Sequence, residues 1–325
     1  MELAVDATVP GLSIAELADL CVFAEELGYR HAWEAEVGGH DPFVLAGAIA
    51  ARTKAIEIGV AATPVYTRTA PTLAAAALSV SSALRGRAFR LGLGSSSETI
   101  VSGWHGVAFT NHLARVRETV EAIRAILEGA NEYVGAHVQT RKFRPGVSAA
   151  GPVELWVAAL RPKMLAVAGA VADGVCLNLM PPRVVPLQLE AMAAGAKAAG
   201  RPTPGGVMAR LQVLVTDDPA SARQRLRSSF IGPYMAQPVY NRFLAWMGYE
   251  EEAEAIADAW QRRDREALAA AVPDRLVDDL ALLGTRSQVR DRLDEFAAGG
   301  LTIASLAMLV SDRSAVEDTL KALAP

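Results

Sequence analysis

Residues 56–94, IEIGVAATPVYTRTAPTLAAAALSVSSALRGRAFRLGLG, alternate two apolar runs with one helical pattern. The first run is Ile56–Ala62, the alanine-rich helical pattern lies near Pro71–Leu84, and the second run is Ala88–Gly94. Both runs are nearly continuous apolar stretches rather than strict alternations of apolar and polar residues. This is typical of parallel strands that helices cover on the outside. The segment therefore predicts a strand–helix–strand unit of a parallel sheet.

The same alternation extends along the chain in both directions. A run at Glu2–Ala7 precedes a helix over Ser13–Leu27, in which Ser13 and Glu16 form a capping box and Gly28 ends the helix. The remaining runs are His31–Glu36, Glu154–Ala158, Gly174–Asn178, Val207–Val215 and Thr302–Leu309. Later helical patterns are Ala114–Leu127, a helix from Pro162, Val184–Ala199, Arg286–Ala298 and Ser314–Leu323. Eight strand–helix units predict an α/β fold, a single (β/α)8 TIM barrel. A doubly wound open sheet is the alternative, because counting strands does not exclude it.

Two segments interrupt this alternation. Asn131–Gly146 places aromatic and β-branched residues near glycines and predicts a small hairpin. Residues 228–283 hold most of the remaining aromatic residues and predict a helical insertion between strands seven and eight. Because neither a linker nor a second core pattern is visible, we expect one domain over residues 1–325. The inserted helices are expected to cover the active site or a subunit interface, which leaves a homodimer open.

The composition limits the function classes. The chain has 325 residues with a formal net charge of −4, and 51% of the residues are hydrophobic, which is enough for a sizeable core. The mild acidity predicts no nucleic-acid partner. The only cysteines, Cys21 and Cys176, exclude a disulfide scaffold. No signal peptide is visible, nor an apolar run of the roughly 20 residues that a membrane span needs. We therefore expect a cytoplasmic protein with a small-molecule substrate.

Active sites of TIM barrels lie on the loops that follow the strands, and this rule selects the candidate residues. After strand two come Glu36 and Asp41, of which Asp41 is expected to cap the next helix. After strand three, the small residues Ala61 and Ala62 would allow a flat ring to approach the backbone, and Tyr66 follows them. The alternative for Glu36 is a solvated loop carboxylate.

The loop after strand four can present hydrogen-bond donors to a ligand. Gly94 is followed by Ser95 and Ser96, whose N–H and hydroxyl groups are such donors. Further along, Trp104 offers a stacking surface beside His105, whose imidazole can give or take a proton. The alternative for the Trp-His pair is ordinary loop packing.

The loops after strands five and six add cations and an amide. The candidates there are Ala158, Ala159, Leu160, Arg161, Lys163, Asn178 and Arg183. Arg161 and Lys163 stand at a helix N-terminus, where the helix dipole alone disfavours a cation. An anionic ligand would make them favourable, and simple solvation is the alternative. Other chemistries find little support, because the five histidines lack zinc-type spacing, which predicts no metal site, and no Gly-x-Ser-x-Gly elbow is present.

In their order and spacing, the motifs of this chain resemble those of the luciferase-like flavin and deazaflavin oxidoreductases, specifically the F420-dependent branch. The matching segments are Asp41–Ala46, Thr63–Arg68, Leu91–Ser96, Gly103–Val107, Arg161–Leu165, Ala172–Val175 and Pro238–Phe243. Each motif is modest, but together they span nearly the whole chain.

The resemblance implies that a tricyclic ring lies in the barrel mouth, above a non-prolyl cis peptide bond at Ala61–Ala62. It also implies that Glu36 lies beside the ring. The residues that match positions along the ring and tail are Ser95, Ser96, Ala158, Ala159 and Asn178. Two features depart from the family pattern. Val37-Gly38-Gly39 follows Glu36 where relatives often have an Asp-His or Asp-Arg pair, and Arg161 replaces the usual glycine before Pro162, which adds a cation for an anionic tail.

From the resemblance we expect a coenzyme F420-dependent oxidoreductase that transfers a hydride between the deazaflavin and a C=C, C=N or C–OH carbon of a small organic substrate. His105 or Glu36 would supply or remove the accompanying proton, and Trp104 and Tyr66 are the expected substrate-binding side chains. One alternative is an FMN-dependent luciferase-like monooxygenase, because FMN and F420 share a ring shape. The other is a flavin- or deazaflavin-binding protein without catalysis.

Overall fold

Each of the eight predicted runs forms a parallel strand in the computed structural model, which describes residues 1–325. In chain order the strands are β1 (Glu2–Asp6), β2 (His31–Glu34), β3 (Glu57–Pro64), β4 (Phe89–Gly94), β5 (Glu132–Val134), β6 (Gln139–Arg141), β7 (Val153–Ala158), β8 (Gly174–Asn178), β9 (Gly206–Val215), β10 (Ala281–Gly284) and β11 (Ile303–Met308). β11 pairs with both β1 and β9, and β9 also pairs with β8, so the sheet closes on itself. The TIM-barrel prediction is confirmed, and the open-sheet alternative is wrong.

Helices follow the barrel strands and pack around them. In chain order they are α1 (Ile14–Glu26), α2 (Pro42–Arg52), α3 (Ala70–Leu84), α4 (His112–Leu127), α5 (Pro162–Val171), α6 (Val185–Ala198), α7 (Pro219–Leu226), α8 (Gly232–Met235), α9 (Pro238–Trp246), α10 (Glu250–Gln261), α11 (Arg265–Ala270), α12 (Asp274–Leu280), α13 (Arg286–Ala298) and α14 (Arg313–Ala322). The capping box of Ser13 and Glu16 is present at the start of α1, as predicted. No helix combines the length and the apolar character that crossing a membrane requires.

The structure differs from the predicted elements in two places that matter for the site. β2 ends at Glu34, so Glu36 lies in the following loop and does not end the strand. Helices α8–α12 lie between β9 and α13, but this part of the chain also contains β10, which pairs in parallel with the end of β9. β10 was not predicted, because its four residues continue the apolar pattern of α12 without a break. The predicted hairpin is formed by β5 and β6.

Two tryptophans fill the lower part of the barrel interior. The ring centroids of Trp33 and Trp156 are 5.3 Å apart. Their bulk requires glycine on neighbouring strands. A Cβ at Gly59 would lie 2.3 Å from the Trp33 ring, and a Cβ at Gly206 would lie 2.5 Å from the Trp156 ring. A separate and larger core lies between the barrel and the surrounding helices.

Ion pairs cross the amino-terminal end of the barrel. His31 Nε2 is 2.6 Å from Glu2 Oε2, and Arg90 Nη1 is 2.7 Å from Glu57 Oε2. Arg90 Nε also lies 3.2 Å from a Glu154 oxygen. Large side chains and paired charges thus occupy this end, whereas TIM barrels bind their ligands at the opposite, carboxyl-terminal mouth.

Candidate active site

One wall of the carboxyl-terminal mouth consists of very small residues. Ala61 and Ala62, near the end of β3, are joined by a cis peptide bond, as predicted. Gly94 ends β4 and Ala158 ends β7. A Cβ at position 94 would lie 3.4 Å from the Cβ atoms of both Ala62 and Ala158. We call these four residues the small-residue wall. Their size allows a flat ring to lie directly against the backbone.

Glu36 is anchored beside this wall. Its Oε2 accepts a hydrogen bond from Thr63 Oγ1, and Thr63 directly follows the cis peptide. Its Oε1 lies 3.3 Å from Arg68 Nη2, which also lies 2.5 Å from Asp41 Oδ2. Partial burial alone would raise the pKa of Asp41, but Arg68 and two helix N–H donors lower it. Arg68 is thus a component of the site that sequence reasoning missed, although it lies within a matched motif.

Trp104 and His105 lie at the rim of the mouth and not in its interior. A π-helical turn, Thr99–Trp104, carries them after β4. The Trp104 side chain is 59% exposed, and its ring lies 3.4 Å from where a Cβ of Gly38 would be. Trp104 therefore connects the loops that follow β2 and β4. The imidazole of His105 is exposed and has no hydrogen-bond partner.

Tyr66 packs against the loop between β4 and α4. Its hydroxyl donates to the Thr110 carbonyl at 2.6 Å, and its ring centroid is 5.4 Å from that of Phe109. The Arg115 guanidinium lies over the same ring at 5.3 Å. Since the hydroxyl proton is already donated to Thr110, Tyr66 can offer a substrate its ring or its oxygen as an acceptor, but no donor.

The candidate residues after β4 and β7 do not all line the mouth. Ser95 and Ser96 are half-buried, and Ser96 has a left-handed φ of 61°. Ala159 is 3% exposed and belongs to the core between barrel and helices. The Leu160 carbonyl accepts a hydrogen bond from Gln188 Nε2 at 2.9 Å. The Ser95 hydroxyl donates to the Ser96 carbonyl at 3.3 Å, so among these side chains the Ser96 hydroxyl is the one free to donate to a ligand.

The three candidate cations have different surroundings. Arg183 forms an ion pair with Asp279 of α12. Lys163 is exposed. Arg161 has no carboxylate partner, and burial, together with the nearby charge of Arg242 on α9, lowers the pKa of its guanidinium. Arg161 and Arg242 therefore bring together two positive charges that no carboxylate of this chain balances.

The wall opposite the small residues is polar. Arg210 on β9 is in register with Asn178 on β8 and with Ser305 on β11. Arg210 Nε donates to Asp6 Oδ2 at 2.6 Å, and Asp6 is almost fully buried. Asn178 Nδ2 donates to Tyr240 Oη of α9 at 3.2 Å. We call these five residues the polar wall. Two of its buried atoms, Asn178 Oδ1 and Ser305 Oγ, have no hydrogen-bond partner.

Sequence reasoning identified only Asn178 in the polar wall. A signal for Arg210 was available, because Arg210 and Gln212 are polar residues at alternate positions of the otherwise apolar run Val207–Val215. Such spacing places both side chains on one face of a strand, here the interior of the barrel. Asp6 had no comparable signal, and Tyr240 lay within the matched segment Pro238–Phe243 without being singled out.

Comparison with known proteins places this geometry in a family. A 5,10-methylenetetrahydromethanopterin reductase of Methanolobus tindarius is 28% identical over 299 residues, covering 90% of this chain and 90% of that protein. An F420-dependent glucose-6-phosphate dehydrogenase of Nocardia farcinica is 28% identical over 302 residues, covering 86% and 88% of the two chains. The structure of the coenzyme F420-dependent tetrahydromethanopterin reductase of Methanopyrus kandleri superposes with a TM-score of 0.82 at 22% identity, covering 99% of this chain and 97% of that one.

The family profile extends over most of the chain. The sequence pattern that describes luciferase-like monooxygenases matches residues 2–302, which include every barrel strand except β11. This match agrees with the small-residue wall, its cis peptide bond and the closed barrel. The resemblance noted in the sequence is confirmed, and the chain belongs to the luciferase-like monooxygenase family.

Proposed function

We propose that this protein is a coenzyme F420-dependent oxidoreductase acting on a small organic molecule. The observation that carries the proposal is the small-residue wall, whose three methyl groups and one glycine leave room for a flat ring in the barrel mouth. The similarity to F420-dependent enzymes of N. farcinica and M. kandleri, each over more than four-fifths of this chain, supports it. The homodimer and the cytoplasmic location remain predictions from the sequence.

The residues present fit a deazaflavin with an anionic tail. Ala61, Ala62, Gly94 and Ala158 would support the ring, and a side chain at position 94 would crowd Ala62 and Ala158. Ser95 and Ser96, at the edge of this wall, would donate hydrogen bonds to the ring. Arg161 and Arg242 would hold the negative charges of the tail, since neither is paired with a carboxylate. This arginine pair favours F420 over FMN, because the F420 tail extends beyond its phosphate with further anionic groups.

When bound, the deazaflavin supplies or accepts a hydride and does not activate oxygen. The residues of this chain would orient the reactants and handle the proton. Glu36, held by Thr63 and Arg68, keeps the loop after β2 against the wall. His105 at the rim would give or take the proton, with Glu36 as the rival group. Trp104 would cover a substrate placed between the two loops that it connects.

A cavity-filling variant tests the proposed ring site. Gly94→Val would place methyl groups against Ala62 and Ala158, so we expect F420 affinity to fall by roughly 1–3 kcal/mol, the usual cost of overpacking. Fluorescence titration with F420 measures the affinity, and circular dichroism checks the fold. Gly47→Val in α2 is the matched control, because nothing lies within 4 Å of a Cβ there. Undiminished F420 affinity of a folded Gly94→Val protein would contradict the proposal.

A further inference from the structure

The two walls of the mouth differ in chemistry and face each other. The small-residue wall lies on β3, β4 and β7, and the polar wall lies on β8, β9, β11 and β1, with Tyr240 contributed by α9. A flat ring held on the first wall would have its other face toward the second. Hydride transfer needs the partner carbon stacked on the open face of the ring, at roughly 3–3.5 Å. The polar wall is therefore positioned to touch the substrate.

Arg210 is the only charged donor of the polar wall, and its orientation is fixed. Its Nε donates to Asp6 Oδ2 at 2.6 Å, while Asp6 Oδ1 accepts the backbone N–H of Thr8 at 2.9 Å. Both carboxylate oxygens are thus used, and the guanidinium cannot rotate without breaking the pair. The terminal nitrogens Nη1 and Nη2 make no hydrogen bond to any group of the protein. They remain available to an oxygen in the mouth.

The charge balance indicates which kind of oxygen would bind. Asp6 already neutralises Arg210, and Tyr240 is a neutral phenol because burial raises its pKa far above neutrality. An anionic group would leave this buried cluster with a net negative charge, which is costly in a desolvated site. A neutral carbonyl oxygen accepts hydrogen bonds without adding charge. Arg210 offers donors alone, so an acceptor is required.

We infer that Arg210 binds the carbonyl oxygen of the substrate, an inference that rests on the proposed function. The substrates are then ketones or aldehydes, and the products are the corresponding alcohols. Hydride transfer from the reduced deazaflavin makes a C–H bond at the carbonyl carbon, and the electron pair of the broken C=O π bond passes to the oxygen. The terminal N–H groups of Arg210 stabilise that developing charge. A proton from the acid of the site completes the alcohol. Asp6 acts as a positioning residue through Arg210.

Infrared difference spectroscopy can detect the contact between Arg210 and the carbonyl oxygen without turnover. The probes are carbon-13-labelled cyclohexanone and butanone, added to protein loaded with oxidised F420. We expect the C=O stretch of the bound ketone to lie at lower wavenumber than that of the unbound ketone, because Arg210 donates a charge-assisted hydrogen bond to the oxygen. Arg210→Met should abolish the shift and weaken ketone binding by about 10–100-fold. With reduced F420, the turnover number should fall by roughly 10²–10³-fold.

Two further variants keep the test interpretable. Arg210→Met leaves Asp6 buried without a partner, so the double variant Asp6→Asn, Arg210→Met restores neutrality if the single variant fails to fold. Arg223→Met is the matched control, because Arg223 forms a similar pair with Asp278, at 2.7 Å, on the outer surface. F420 titration accompanies each measurement.

The outcomes separate this inference from the proposed function. An unshifted C=O stretch in the wild-type complex, or ketone binding that survives the loss of Arg210, overturns the inference. It is also overturned if F420 affinity falls in parallel with ketone binding, because Arg210 would then hold the ring. Failure of the wild-type protein to bind F420 at all would instead refute the proposed function, and the inference with it.

Discussion

Glu36 accepts a hydrogen bond from Thr63, the residue that follows the Ala61–Ala62 cis peptide. The same carboxylate contacts Arg68 with its other oxygen, at 3.3 Å. The Thr63 side chain thus links Glu36, in the loop after β2, to the small-residue wall at the end of β3. This link explains how a loop with two glycines after the acid can still keep a defined position beside the proposed ring.

Replacing Glu36 separates its shape from its charge. Glu36→Gln retains an acceptor for Thr63 but loses the ion pair with Arg68, whereas Glu36→Ala loses both. We expect F420 affinity to fall by about 1–3 kcal/mol in Glu36→Ala, the range for hydrogen bonds to charged groups, and by less in Glu36→Gln. Fluorescence titration measures both. Equal affinity in all three proteins would show that Glu36 does not position the cofactor.

His105 is expected to act on turnover and not on cofactor binding. An imidazole is the side chain that enzymes use most often to give or take a proton. His105→Gln should lower the turnover number by roughly 10²–10⁴-fold and leave F420 affinity unchanged. His112→Gln is the matched control, because His112 is also exposed and near this loop but stacks on Phe109 with centroids 5.6 Å apart. Loss of stability with intact turnover in His105→Gln would reduce His105 to a packing role.

Arg161 should hold the anionic tail more strongly than Arg183. Arg161→Ala is expected to weaken F420 binding by roughly 1–3 kcal/mol, with the loss shrinking as salt is added. Arg183 is already paired with Asp279, so Arg183→Ala should cost clearly less. Titrations at low and high ionic strength compare the two variants. A larger effect of Arg183→Ala would place the tail on the other side of the mouth.

Glu34 makes the stability of the protein depend on pH. It is 3% exposed, both of its carboxyl oxygens lack a hydrogen-bond partner, and burial raises its pKa well above the usual range. The folded protein therefore keeps this proton to a higher pH than the unfolded chain, whose glutamate pKa is about 4.3. The stability that depends on the proton is complete below that value and is lost as the pH rises through the folded pKa.

Glu34→Gln should remove this dependence. We expect the variant to be more stable than the wild type by about 1–3 kcal/mol at pH 8 and nearly equal to it at pH 4.5, as denaturant unfolding would show. Glu25→Gln is the contrasting control. Burial opposes its ionisation, yet three backbone N–H donors lower the pKa of Glu25, so its loss should destabilise at pH 8. A Glu34→Gln protein no more stable than the wild type at pH 8 would show that the carboxyl finds a partner in solution.

The barrel was accessible to prediction because its signals are local. Apolar runs and helix caps depend on residues that are close in sequence. For this reason β8 and α13 have the predicted bounds, and the predicted capping box at Ser13 is present. The strand ends that carry the small-residue wall were expected at one mouth of a TIM barrel, and the cis peptide at Ala61–Ala62 followed from the family resemblance. These features need no knowledge of which distant residues touch.

The polar wall depends on contacts that are distant in sequence. Asp6 and Arg210 meet only because β11 joins β9 to β1 when the barrel closes. Tyr240 reaches Asn178 through the packing of α9, which no local pattern specifies. The pairing of Arg183 with Asp279 also joins residues that are distant in sequence. The sequence alone therefore gave no sign that the Arg183 charge is paired.

The cofactor assignment is tested most directly by titrating the cofactor-free protein with F420 and with FMN under identical conditions, following fluorescence and confirming the bound species by mass. We expect F420 to bind at least tenfold more tightly than FMN, a difference of about 1.4 kcal/mol. We also expect the preference to shrink in Arg161→Ala, because that variant loses a contact to the longer tail. Tighter binding of FMN than of F420 by the wild-type protein would contradict the account.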